Sequence, residues 1–349
     1  MFVVIAICLA LAAAPASAND GVVISRGDTL HPLTSTVVQI RQEKLQIAYN
    51  RETQSWDVMV VFDFYNPTRR TVTHKVAFVN RSLEREPFDN RVRDFVTRVN
   101  GLETGVTRYE EEAPADPEAP PLSGKAINEY FAFDISFPPG LTEVRHSYRY
   151  YGSIGWGPDR RGFYYVLETA KAWNGPIGSF HLRIDLPDNS ILSAEDWEGF
   201  VPFGTYTMKR EYLLFGKYRK TNGLFIRHGG LSLDATNYVP PHDLFLEVYD
   251  FDWYLSAEQA VEGKPLSTGD LLTRALAPAD LQPYTRAELR LLRNAVFAWH
   301  GRRFQDASLG SSIENYIWYI PSESTASPLT AIQARNVEAI KRAEAERER

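Results

Sequence analysis

The chain is almost without cysteine. Its single one, Cys8, falls in the first twenty of 349 residues, so the rest can form no disulfide. A surplus of positive charge is missing too: 38 Lys and Arg face 44 Asp and Glu, a net charge of −6. That balance argues against a nucleic-acid binder, which would carry a basic surplus or stripe. No nucleophile elbow, phosphate loop, zinc-protease helix or dinucleotide fingerprint is present. The seven histidines are scattered without zinc-ligand spacing, and His228 with His242 makes only a weak pair. The sequence therefore calls for no metal and no cofactor, and no residue set fixes a reaction.

What is present is apolar and aromatic. The composition is 44% hydrophobic and 23% charged, enough to bury real cores, and the length suits two or three domains. The opening "MFVVIAICLALAAAPASAND" is an apolar run ending in Ala16-Ser17-Ala18. It is shorter than the roughly 20 residues of a membrane span and reads as a signal peptide cut after Ala18. The usual positive charges at its front are missing, and a buried N-terminal helix is the other reading. A mature chain without cysteine fits a periplasm or cell surface. Cys8 has no small-residue lipobox before it, which argues against a lipid anchor.

From about Val22 to Asp252 the texture is β. "SWDVMVVFDFYNPT" (55–68) places Trp56, Val58, Val60, Phe62 and Phe64 on one face and Asp57, Met59, Val61, Asp63 and Tyr65 on the other, and Asn66-Pro67 stops it. Over 91–106, Phe95, Thr97 and Val99 alternate as in a strand, although Phe88, Val92, Phe95, Val96 and Val99 also fit a helix face. Asn100-Gly101, the favoured hairpin turn, decides for the strand. The acidic, proline-rich 109–124 reads as an exposed loop. Further strands are expected at 128–140, 141–152, 163–170, 178–187, 206–218 and 243–251. Many short strands with Gly, Pro and Asn turns imply an antiparallel β-sandwich, in one lobe or two.

Residues 256–279 read as a connector, and a small all-α domain follows. Thr285 and Glu288 form a capping box. Leu289, Leu292, Val296 and His300 then share one face, flanked by Phe297 and Trp299, and Gly301 suits the left-handed residue after a helix. His300 thus falls on the core face of the last turn, with Arg293 two turns back on nearly the same side. A second helix is expected from Ser311 or Ser312 through Tyr316, followed by an extended 318–321. Thr330 and Gln333 open a last helix with Ile332, Val337 and Ile340 inward. Trp299, Phe304, Tyr316, Trp318 and Tyr319 supply the core.

Taken in order, Arg293, Asn294, Phe297, Ala298, His300, Gly301, Arg303 and Phe304, then Trp318, Tyr319 and Pro321, then Asn336 and Ile340, resemble the YARHG domain over about 280–344. Phe297 stands where the signature has Tyr, and Trp299 where it has Arg. The resemblance implies an extracytoplasmic accessory module. The front, through "GDTLHPLTSTVVQIRQEKLQI", "VFDFYNPT" and "YYVLETAKAWNGPIGSFHLRI", resembles an uncharacterised exported bacterial β family, a domain of unknown function (DUF4424), over most of 20–255. In that family a strand ending at Thr169 leads through Trp173, Gly175, Pro176 and Gly178 into the next.

Candidate binding residues are Arg293, Trp299, His300, Arg303 and Trp173. For His300 three roles stay open: a structural peg, a ligand contact or an acid/base group. Trp173 is either a plug of the sandwich or a stacking platform for sugar. Asp250 and Asp252 would share a strand face as a carboxylate pair. The expected organisation is a signal peptide 1–18, a β-sandwich 19–255, a linker 256–279 and a helical domain 280–344. The expected function is an exported non-catalytic envelope protein binding a cell-wall glycan or envelope protein. The rival readings are an envelope hydrolase or sugar-processing enzyme with a site at the domain junction around His300 and Arg293, and a pure docking scaffold.

Overall fold

The computed structural model describes residues 20–26, 29–32, 36–85, 88–89, 91–112, 125–151, 160–165, 167, 170, 172–193, 199–212, 221–241, 244–249, 251–322 and 328–347. The expected signal peptide, Thr169, His242 and Asp250 lie outside them.

A six-stranded sheet runs β2 (Thr29–Pro32), β1 (Asp20–Arg26), β5 (Val72–Arg85), β10 (Lys125–Phe137) and β9 (Thr107–Glu112), with β6 (Phe88–Asp89) beside β5. An eleven-stranded sheet runs β12 (Arg160–Tyr165), β17 (Leu244–Tyr249), β14 (Ser190–Ser193), β16 (Thr221–Tyr238), β13 (Ile177–Leu186), β3 (Gln39–Asn50), β4 (Ser55–Asn66), β11 (Gly140–Tyr150), β7 (Val92–Val99) and β8 (Leu102–Thr104), with β15 (Val201–Tyr212) on β16. Among the described pairings all are antiparallel except β3 with β13.

The two sheets close on one core. Trp56, Val58, Val60, Phe62 and Phe64 of β4 are buried together and meet Phe78 of β5 and Phe131, Phe133 and Phe137 of β10. Alternation put these rings on one face, and burying each contributes on the order of 2–3 kcal/mol. Asn66 ends β4 by donating to Arg70 O and Phe137 O, both at 2.8 Å, while its Oδ1 accepts from Thr68 N. Asn100 and Gly101 take φ of 49° and 81°, as the hairpin requires. Residues 109–112 depart from the loop expectation. They form the end of β9 on β10, with Tyr109 packed near Ala77 and Ala132.

β16, rich in glycine at Gly223, Gly229 and Gly230, is not among the strands expected from the sequence. Here the glycines let backbones meet. A Cβ on Gly204 of β15 would lie 2.1 Å from His228 O, and one on Gly230 would lie 1.8 Å from Ile184 O. Its 223–226 stretch is also buried on both faces. Leu224 pairs with Leu192 of β14, which pairs with Val248 of β17, and these side chains join the sandwich core. One residue along, Phe225, Ile191 and Tyr249 are likewise in register but belong to the second core, under the helices.

That second core is built by α1 (Phe251–Ala257), α2 (Thr268–Thr273), α3 (Pro278–Leu281), α4 (Arg286–Trp299), α5 (Ala307–Glu314) and α6 (Ala331–Glu346). The helical unit therefore sits on the outer face of β14, β16 and β17. Residues 256–279, read as a connector with a short helix or two, contain α2, and Ala260, Leu266, Leu271, Leu272 and Leu276 are buried in this core. α5 starts earlier than expected because Asp306 caps it, its Oδ1 accepting from Leu309 N at 3.0 Å. Ile332 is 39% exposed rather than inward, and Gln333 is buried instead. The face of α6 that meets the core runs through Gln333, Asn336, Val337, Ile340 and Ala343.

Candidate functional site

α4 begins on the Thr285–Glu288 capping box and ends at His300, with Gly301 at φ +82°. The left-handed residue turns the chain so that Arg302–Asp306 return beside the helix they have just left. Tyr319 Oη donates to Arg302 O at 3.0 Å, and Ser322 N donates to Gly301 O at 2.8 Å, fixing the turn. A Cβ on Gly301 would also lie 2.8 Å from Ser322 Cβ. His300 is half-buried. Its Nε2 lies 2.8 Å from Gln333 Oε1, an oxygen that also accepts from Thr330 N at 2.9 Å. An amide oxygen only accepts, so the imidazole donates through Nε2. The histidine thereby ties the end of α4 to the start of α6.

Along one side of this turn lies a groove of about 410 Å³, lined by Arg290, Arg293, Asn294, Arg302, Arg303, Phe304, Gln305, Asp306 and Leu309. Arg290 and Arg293 are three apart in α4 and so project from neighbouring positions. Arg290 pairs with Asp306 at 2.8 Å, which ties the returning loop to the helix. Arg293 pairs through one nitrogen with Glu344 Oε2 at 2.8 Å. The Arg302 guanidinium lies 5.0 Å from the centre of the Phe297 ring. Asn294 donates to Arg290 O at 2.7 Å and forms part of the lining.

The five sequence candidates separate. Arg293 and Arg303 share the groove, while His300 stands behind it as the tie to α6. Trp299 faces the β body, stacked on Phe251 (5.7 Å) and edge-on to Trp318 (5.4 Å). Where the signature has an arginine, this chain has Trp299, and Arg227 of β16 lies 4.8 Å over its ring. Arg227 also donates to Trp318 O at 3.2 Å. Burial pulls its pKa below the usual arginine value. Trp173 is far from this group in the fold. It is 4% exposed, packed 4.3 Å from Phe64 and 5.9 Å from Phe137 in the sandwich core.

Three other residues matter and were not read from the sequence. Glu258 accepts from Tyr254 Oη, Thr268 Oγ1 and Trp318 Nε1 at 2.6, 2.8 and 2.7 Å. Arg290 and Arg302 complete the groove. Asn336, quoted in the resemblance without a role, is fully buried. Its Oδ1 accepts from Leu276 N, and its Nδ2 donates to Leu271 O and Arg274 O. The expected Asp250/Asp252 strand pair is not formed as drawn, since Asp252 lies in the first turn of α1. His228 pairs with Asp188 at 2.6 Å. Among the described residues no group of three or more His, Cys, Asp or Glu is placed to hold a metal ion.

Residues 265–345 match the YARHG domain, and 159–193 match a domain of unknown function, DUF4424. The first match opens before α2, in keeping with the packing of 265–279 into the helical core. The second is narrower than the span over which that resemblance was drawn. No curated protein matches the chain. Among solved structures, a Legionella pneumophila protein provisionally named nutrient-binding is 20% identical, with 89% of this chain and 96% of that one covered and a TM-score of 0.48. A zinc metallopeptidase of Deinococcus radiodurans is 11% identical, with 62% of this chain and 43% of that one covered and a TM-score of 0.26. Yeast leukotriene A4 hydrolase with bestatin is 8% identical, covering 61% and 28%, with a TM-score of 0.28. None of these likenesses carries a function to this chain. No helix of the described residues is long and apolar enough to cross a membrane.

Proposed function

We propose that this chain is an exported, non-catalytic protein of the cell envelope, released after Ala18, whose β-sandwich body presents the helical unit as a binding element. One observation carries the reading: the residues of the YARHG resemblance divide into two sets. His300, Gly301, Trp318 and Asn336 hold the shape of the unit through the ties described above. Arg293, Asn294, Arg303 and Phe304 line an open groove. A shape held by buried polar ties behind an open, charged groove suits recognition. On this reading the chain divides into a signal peptide, a β body and a helical unit, and its place is the periplasm or cell surface.

Retention of the purified mature chain on cell-wall sacculi, with envelope extract as competitor, tests the proposal. Binding to the sacculi, or displacement from them by the extract, supports it. Retention on neither overturns it. Release of soluble fragments from the sacculi would overturn the non-catalytic part and direct attention to the junction around His300 and Arg293.

A further inference from the structure

We infer that the groove beside the Gly301 turn is an oxyanion site, taking a carboxylate or phosphate group of the envelope component proposed above. The inference rests on that reading for the source of the ligand but not for its chemistry.

The chain as a whole is acidic, at −6, yet four arginines within fourteen positions line this one groove. Asp306 in the lining pairs with Arg290, and Glu344 holds Arg293 from behind. Guanidinium groups present paired N–H donors in a plane that matches carboxylate and phosphate oxygens. The Arg302 guanidinium lies over the Phe297 ring, 5.0 Å from its centre, and has no ion pair with a carboxylate among the described residues. A ring contact of that kind leaves its N–H donors unused. The volume, about 410 Å³, accommodates a small anionic group together with part of the molecule that bears it.

Glu344 adds a second line of argument. Its Oε2 holds Arg293, while its Oε1 is buried without a hydrogen-bond partner. A carboxylate that satisfies one oxygen and strands the other is a poor permanent partner. It occupies a donor set that an incoming oxyanion would also use. Glu344 is thus a built-in competitor for Arg293, and removing its charge should strengthen ligand binding while removing arginines should weaken it. Opposite signs from neighbouring substitutions would not arise from a general loss of structure.

The test is titration calorimetry of the full mature chain with pyrophosphate and, separately, with citrate, against chloride at matched ionic strength. Binding of either anion is expected, and the two arms distinguish phosphate from carboxylate preference. Arg302→Gln combined with Arg303→Gln should weaken binding about tenfold or more. Glu344→Gln should tighten it about threefold or more. Melting curves of each variant check that the fold is kept. No binding of either anion above the chloride control overturns the inference, as does a Glu344→Gln change that leaves affinity unchanged or weaker in a folded protein. Anion binding without retention on sacculi would sink the envelope proposal and leave this site standing. Retention that neither anion nor the arginine substitutions affects would do the reverse.

Discussion

The β body and the helical unit are both rich in buried aromatics, yet they define their geometry by different means. The sandwich is held by rings stacked face to face and edge to face, such as Phe64 with Trp173 and Phe137, or Phe78 with Tyr148. Its strands already fix one another through long ladders, and the polar groups buried there, among them Glu129 with Asn80 and Val92 N, and His146 with Thr97, add to ladders already formed. The helices of the C-terminal unit are short, and several would be marginal alone. There, buried side-chain polar groups do the aligning: Asn336 ties α6 to the end of α2, Glu258 gathers α1, α2 and Trp318, and Gln333 links α6 to His300. Buried polar groups need partners in both parts, but a cluster of short helices has in addition many free ends whose amides and carbonyls must be met.

Substitutions can break or sharpen this contrast. The largest effect is expected in the body, where Phe64→Ala removes a ring between Trp173, Phe137 and Phe62. It should cost about 3–5 kcal/mol in urea unfolding. Asn336→Ala should come next, at roughly 2–3 kcal/mol, because it strands Leu276 N and two carbonyls in a dry setting. A loss below about 0.5 kcal/mol there would remove the polar-anchor account. Gly301→Ala should cost about 1–3 kcal/mol, from its positive φ and from the approach of Ser322. His300→Ala should cost about 1 kcal/mol, and a double-mutant cycle with Gln333→Ala should show coupling of about 0.5 kcal/mol or more. Independent, additive losses would mean that the ring packs without its hydrogen bond. Ile332→Ser, on the exposed side of α6, should change the melt by less than about 0.5 kcal/mol.

Legibility in the sequence followed the same divide. β4 could be read because one of its faces is the core and the other is not, so period two appears in the letters. β16 could not, because both faces are covered over 223–226 and its glycines serve close approach rather than turning. In the helical unit the caps at Thr285 and Thr330, and the stop at Gly301, were visible as local chemistry. The phase of α6 was not: Ile332 is the more apolar residue, yet Gln333 is the one buried, since its amide completes a cap and receives His300. Of the groove, Arg293 and Arg303 were legible as signature residues. Arg290 and Arg302 became partners only when the chain reversed.

The sequence by itself determined a largely β body, the alternation that builds its core, the capped starts of α4 and α6, and the left-handed turn that ends α4. These depend on neighbours a few residues apart, where backbone sterics and side-chain period act directly. Only the tertiary structure decided that the helices lie on the outer face of β14, β16 and β17, that Arg227 covers Trp299, and that four arginines share one groove. Those outcomes join residues on separate elements or on the two sides of a chain reversal, and no local preference of either partner specifies the other.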